Sequence, residues 1–201
     1  MPEEPYPLQF SVEYPERDLN RVSTFFRLFA AIPILILLAA VAGHVGGGTA
    51  IGGGILFLPA LLMILFRRKY PRWWFDWNLQ LLRFTNRVGV YLALMDDRYP
   101  STDEDQSVRL ELVYPDVERD LNRWLPLVKW LLAIPHFIVL LFLWIAALVV
   151  AIVAWFAILF TRRYPRDMFD FIAGVIRWQN RVAAYAFVLV TDRYPPFRLG
   201  A

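Results

Sequence analysis

From Trp130 to Phe160 the chain runs for 31 residues without a glycine or a formal charge. As one α-helix that stretch would measure roughly 46 Å. A bilayer's hydrocarbon core is about 30 Å thick, and a comfortable crossing takes about 20 residues. The run is therefore long for one crossing and short for two. An earlier apolar block, from about Phe25 to Phe66, is interrupted by a glycine-rich stretch between Gly43 and Gly54. Glycine at that density breaks helices, so this block is expected to form two membrane helices joined by a bend. The hydrophobic fraction is 58% and mean hydropathy +0.44, above the roughly 45–50% apolar content of soluble domains. The excess is concentrated in these two blocks.

Both ends of both blocks are basic. Arg17, Arg21 and Arg27 precede the first, and Arg67, Arg68 and Lys69 follow it. Arg119, Arg123 and Lys129 precede the second, and Arg162, Arg163 and Arg166 follow it. Cytoplasmic flanks carry the excess of Lys and Arg, so both ends of each block are expected on the cytoplasmic side. That favours a hairpin in each block over a single tilted helix in the second. The expected protein is a multi-pass inner-membrane protein with four crossings or half-crossings and cytoplasmic termini. Residues 1–20 carry five acidic side chains and no apolar core, so no secretory signal is expected there. The net charge of +3 fits a protein resting on anionic lipid and is too small to argue for nucleic acid.

The chain also repeats itself. Arg17-Asp18-Leu19-Asn20-Arg21 recurs as Arg119-Asp120-Leu121-Asn122-Arg123. Tyr70-Pro71-Arg72 recurs as Tyr164-Pro165-Arg166, and Asn86-Arg87-Val88 as Asn180-Arg181-Val182. Each unit closes on the same words, Asp97-Arg98-Tyr99-Pro100 and Asp192-Arg193-Tyr194-Pro195. The expected architecture is an α-helical integral membrane protein with a small surface β-sheet. It is built as a pseudo-twofold tandem repeat of strand, hydrophobic hairpin, amphipathic helix and strand. Residues 1–100 form the first unit, with its membrane hairpin near 25–66 and its amphipathic helix near 72–89. Residues 101–107 are an acidic linker. Residues 108–201 form the second unit, with its hairpin near 126–161 and its amphipathic helix near 166–183.

Four short runs suggest strands. Leu8, Phe10, Val12 and Tyr14 alternate, as do Val108, Leu110, Leu112 and Tyr114. Val90–Met95 and Ala184–Val190 end the units and are read as the other two strands of a four-stranded sheet. Alternatively, these later runs continue the preceding helices.

In the first amphipathic segment Trp73, Trp77, Leu81, Phe84 and Val88 form one stripe at helical spacing, and Asp76, Gln80, Arg83 and Arg87 form another face. Phe171, Val175, Trp178 and Val182, with Asp170, Arg177 and Arg181, repeat both. Guanidinium pairs four residues apart suit phosphate geometry, and indole rings suit headgroup depth. Arg83, Arg87, Trp73, Trp77, Arg177, Arg181 and Trp178 are thus candidates for contact with lipid headgroups or a partner. The competing reading buries the stripe within the protein and neutralises the arginines through Asp76 and Asp170. Gly46, Gly47, Gly48, Gly52, Gly53 and Gly54 are candidates for a pore lining or close helix packing. The second unit lacks them, which favours packing. Tyr-Pro pairs punctuate the elements and read as architecture.

No cysteine is present, which removes disulfides, zinc thiolates and thiol nucleophiles. His44 and His136 have no partner at metal-ligand spacing. No nucleophile elbow, zinc-protease motif or phosphate loop occurs. No catalytic residue, metal or cofactor is therefore expected.

The run Tyr164-Pro165-Arg166, Phe169-Asp170-Phe171, Gly174-Val175, Arg177-Trp178, Asn180-Arg181-Val182, Tyr185 and Thr191-Asp192-Arg193-Tyr194-Pro195-Pro196-Phe197 resembles the family catalogued as domain of unknown function 4389. The first unit is a looser copy, with Trp77 in place of Phe171 and Gln80 in place of Gly174. The resemblance implies a prokaryotic membrane protein holding two tandem copies, and no activity. The functional expectation is a non-enzymatic scaffold or accessory subunit that contacts membrane lipids, a larger membrane complex or further copies of itself. The alternative is an oligomeric channel or lipid-moving protein that uses the glycine-rich bend.

Overall fold

A computed structural model describes residues 6–42, 57–102, 104 and 106–200. The glycine-rich bend, with His44, lies outside the described residues. The elements in chain order are β1 (Leu8–Val12), α1 (Arg21–Phe25), α2 (Arg27–Ala42), α3 (Phe57–Leu62) with a π-helical turn at Met63–Arg67, and α4 (Arg72–Leu92). There follow β2 (Val108–Leu112), α5 (Val117–Asp120), a 3-10 turn at Leu125–Leu127, α6 (Lys129–Leu132), α7 (Ile134–Thr161), and α8 (Arg166–Ala183) with a π-helical turn at Ala184–Val188.

The two alternating runs do form strands. β1 and β2 pair antiparallel with Phe10 opposite Leu110. Leu8, Phe10, Val108 and Leu110 point into the core, while Gln9, Ser11, Arg109 and Glu111 point out. The later two runs do not form strands, so the expected four-stranded sheet is a two-stranded one among the described residues. Val90–Leu92 finishes α4, and Ala184–Val188 is the wide turn that closes α8. Val90, Leu94, Met95, Ala184, Val188, Leu189 and Val190 are all buried. A segment surrounded by protein has no wet face, so a period of two cannot be told from a period of 3.6 there. The residue before the last of each run is a leucine in the left-handed region, Leu94 (φ 65°) and Leu189 (φ 62°).

The second apolar block is not a hairpin. It is α7, one helix of 28 residues preceded by the short α6 and a break at Ala133. No glycine or turn residue interrupts Ile134–Thr161, so nothing in it can reverse the chain. Pro135 sits in the first turn of α7, where its missing N–H costs no helical bond.

The molecule has three layers. The sheet covers α4 and α8, and α2 and α7 lie beneath them. The strands are exchanged: β1 from the first half packs on α8, and β2 from the second half packs on α4. At the centre Asn86 and Asn180 face one another. Each side-chain amide donates to the other's oxygen, at 2.9 and 2.7 Å, and also to the carbonyl four residues back.

Candidate membrane interface

Matched sequence words make matched bonds. Arg83 Nε donates to the Leu110 carbonyl and Arg177 Nε to the Phe10 carbonyl, at 3.0 and 3.1 Å. Tyr14 donates to the Tyr164 carbonyl, and Tyr114 to the Tyr70 carbonyl. Arg72 lies over the Tyr114 ring and Arg166 over the Tyr14 ring, both at 4.9 Å. Tyr70 donates to the Val188 carbonyl and Tyr164 to that of Ala93. Burial pushes both phenols well above the ordinary tyrosine range, so each remains a proton donor at any working pH.

These contacts decide where the sequence-nominated residues stand. Arg87 is buried and donates to the Ser101 carbonyl. Arg181 is 3% exposed and donates to the Arg198 and Gly200 carbonyls. Arg177 adds a bond to the Leu199 carbonyl at 2.8 Å. Both arginine pairs are thus turned to backbone, as clamps on the strands, the 101–107 linker and the C-terminal segment. Asp76 pairs with Arg72 at 3.8 Å, and Asp170 acts on Arg177 through its charge. Trp178 is buried too. Its indole N–H donates to His136 Nδ1 at 3.0 Å, and Phe197 stacks on the imidazole with ring centroids 4.0 Å apart. Among the described nominated residues, only Trp73 and Trp77 lie open, because the α4 stripe emerges from the protein at its first turns. The six glycines are outside the described residues. Among the described residues, no three His, Asp or Glu side chains come together to hold a metal.

Much of the open surface on the helices α2 and α7 is apolar. On α7, Leu141, Phe142, Ile145, Leu148, Val149 and Ile152 are exposed, and Phe160 is 77% exposed. On α2, Leu28, Phe29, Ile32 and Ile36 are exposed. A soluble monomer seldom leaves a contiguous apolar patch beyond about 300–600 Å², and burying each such side chain gains about 1.5–3 kcal/mol. Between α1, α2 and α7 the face dips into a groove of about 270 Å³, lined by Leu28, Leu92, Leu148 and Ile152 with Trp155 at its side.

Amphipathic residues border this face. Trp124 and Trp130 are exposed just ahead of α7, and Arg162 and Arg163 just behind it. Arg67, Arg68 and Lys69 follow the exposed Phe66. The sequence reading passed over Trp124 and Trp130. Their signal was position, since indoles next to basic residues at the entry of an apolar block mark an interfacial belt.

The molecule so described belongs to a class: a mostly helical protein with a small two-stranded sheet and, among the described residues, one helix, Ile134–Thr161, long and apolar enough to cross a membrane. Residues 124–198 match, as one copy, the model of the family described as Domain of unknown function (DUF4389). That span runs from the entry of α7 to the segment clamped by Arg181. No curated protein and no solved structure matches the chain.

Proposed function

We propose that this protein is a membrane-bound, non-enzymatic scaffold or accessory subunit, with both halves derived from one duplicated domain and the basic flanks on the anionic, cytoplasmic leaflet. The observation that carries the reading is the open apolar face of α2 and α7. Water is a poor solvent for it, and lipid is the solvent whose chemistry it matches. The exposed Arg and Trp side chains at its border suit phosphate and headgroup depth. The buried arginines already have partners in the chain, so the surface left for recognition is the lipid-facing side and the polar face of the sheet. The duplicated-domain reading draws on the recurring bonds, because strands exchanged between two copies of one domain would generate the same bond twice.

The test is fractionation of cells expressing the full chain. The protein should stay with membranes through an alkaline carbonate wash and need detergent for release. Recovery in the aqueous fraction after that wash would remove the basis of the reading. Purification in mild detergent should then bring along lipid, a partner subunit or a second copy; a lipid-free monomer would argue against the scaffold role.

A further inference from the structure

We propose that α7 lies in the plane of the membrane, immersed by one face in a single leaflet, and does not cross the bilayer. This rests on the membrane-bound reading above and goes beyond it by fixing the orientation.

The reason is what stands behind the helix. Ala133, His136, Leu140, Ala147, Ala154 and Ile158 face protein, from the break before α7 to its last turn. Near its start the helix packs on Trp178, Val182 and Tyr185, and near its end Ile158 shares a cluster with Tyr164 and Phe169. α8 therefore runs back antiparallel beside α7. On the far side of α8, Arg177 reaches β1 through the Phe10 carbonyl. The outer face of that sheet is Gln9, Ser11, Arg109 and Glu111, with an exposed Arg109–Glu13 ion pair at 2.7 Å.

A line through the middle of α7, perpendicular to its axis, thus meets an apolar face, α7, α8, the sheet and a charged face in turn. With α7 along the bilayer normal, all of these would share one depth. The polar face of the sheet, with its exposed ion pair, would then face hydrocarbon, where charged side chains are costly. With α7 in the plane, the same order becomes acyl chain, α7, α8, sheet and water. α2 follows the same arrangement: Ala31 and Ile34 pack on Phe84 and Val88 of α4, β2 lies on α4, and Leu28, Phe29 and Ile36 are open.

The charge pattern fits as well. Both ends of the second apolar block are basic, which the positive-inside rule places on one side of the membrane. A helix lying flat satisfies that without reversing. Amphipathic helices at an interface sink about 5–10 Å into the headgroup and acyl boundary; here α8 and the sheet supply the polar side that α7 lacks. Its indoles Trp124 and Trp130 and its arginines Arg162 and Arg163 then meet the headgroups at its two ends.

The absence of cysteine makes the test direct, since one introduced cysteine is the only label site. Leu141→Cys, Leu148→Cys, Ile152→Cys and Phe160→Cys are placed on the open face of α7, and Ser11→Cys on the outer face of the sheet. Each full-length variant is labelled with an environment-sensitive fluorophore and reconstituted into bilayers whose lipids carry bromine at graded acyl depths. Intrinsic tryptophan emission checks that each variant keeps the fold.

The expected result is one shallow depth for all four α7 labels, equal within about 5 Å given the helix's shallow immersion, and no quenching at residue 11. A depth profile that plunges at residues 148 and 152 and rises at 141 and 160 would show a crossing helix and overturn the orientation while keeping the membrane-bound reading. No quenching at any α7 position, with label-to-label energy transfer between copies, would show the face covered by a second chain and overturn both.

Discussion

Asn86 and Asn180 close a ring of hydrogen bonds at the contact of α4 and α8. Both are nearly inaccessible to water, at 6% and 4% exposure. Replacing one leaves the other's side-chain oxygen without its donor, and a buried polar group in that state costs about 1–3 kcal/mol. Asn180→Leu is expected to lower the unfolding free energy measured by urea titration by that amount. The double variant Asn86→Leu/Asn180→Leu should lose less than the sum of the two single changes, and strict additivity would show the pair uncoupled. Asp96 offers a second test, by pH. Burial raises its pKa, but bonds from the Ser107 hydroxyl and from the Arg98 N–H and guanidinium outweigh that and hold it below the ordinary value. A carboxylate depressed in the folded state stabilises above its unfolded pKa of about 3.9, and this is lost as pH falls through the folded value. Asp96→Asn should therefore cost about 1–3 kcal/mol near pH 7, with the gap closing as pH drops below about 4. A gap undiminished at the lowest pH at which the protein stays folded would assign Asp96 a role independent of its charge. At this scale the sequence was a partial guide. The recurring Asn-Arg-Val words were visible, but their meaning was not. An arginine pair four residues apart reads alike whether it meets phosphate or backbone carbonyl, and only the fold shows that strands and loops fill its reach.

Among the elements, α8 shows how close packing fixes a chain segment. Gly174 faces the C-terminal segment so tightly that a Cβ there would meet Leu199 Cβ at 2.8 Å and its carbonyl oxygen at 3.2 Å. The same segment gives its carbonyls to Arg177 and Arg181. Gly174→Ala should push residues 196–200 off the helix and strip those bonds, with an overpacking cost of about 1–3 kcal/mol. Hydrogen exchange should then quicken at residues 198–200 while Asn86 and Asn180 stay protected. Unchanged exchange at the C-terminus would mean that the helix, not the tail, absorbs the methyl group. Helices α4 and α8 were legible because Tyr-Pro-Arg starts each one and an apolar stripe runs along it. β1 and β2 were legible because one face of each is wet. The runs after α4 and α8 were not, since they are buried on all sides and carry no periodic contrast. The second apolar block misled for a different reason: basic residues at both its ends fit a hairpin and a flat helix equally, and charge alone does not choose.

For the whole molecule, the sequence marked the apolar blocks and their basic flanks but not their common orientation, which follows from the exchange of strands between halves. That exchange places the sheet on one side of α4 and α8 and the apolar helices on the other. The molecule is polarised, with cations at the border of its apolar face. Arg67, Arg68 and Arg162 are exposed there. Each basic side chain near an anionic surface contributes about 1 kcal/mol to binding. The triple change Arg67→Gln/Arg68→Gln/Arg162→Gln should therefore weaken binding to phosphatidylglycerol vesicles by roughly 100-fold, and binding to phosphatidylcholine vesicles hardly at all. The acyl-chain contribution is common to both vesicles, so the ratio isolates the charge term. Raising the salt should shrink the difference, because the screening length falls from about 10 Å at 0.1 M toward 3 Å at 1 M. Equal weakening on both lipids would mean that the arginines hold the fold of the border instead of meeting headgroups. Changing Arg21, whose guanidinium already donates to the Phe160 carbonyl at 2.8 Å, supplies that comparison. Arg21→Gln should lower stability more than lipid preference, and a reversal of that order between Arg21 and the border arginines would exchange their assigned roles.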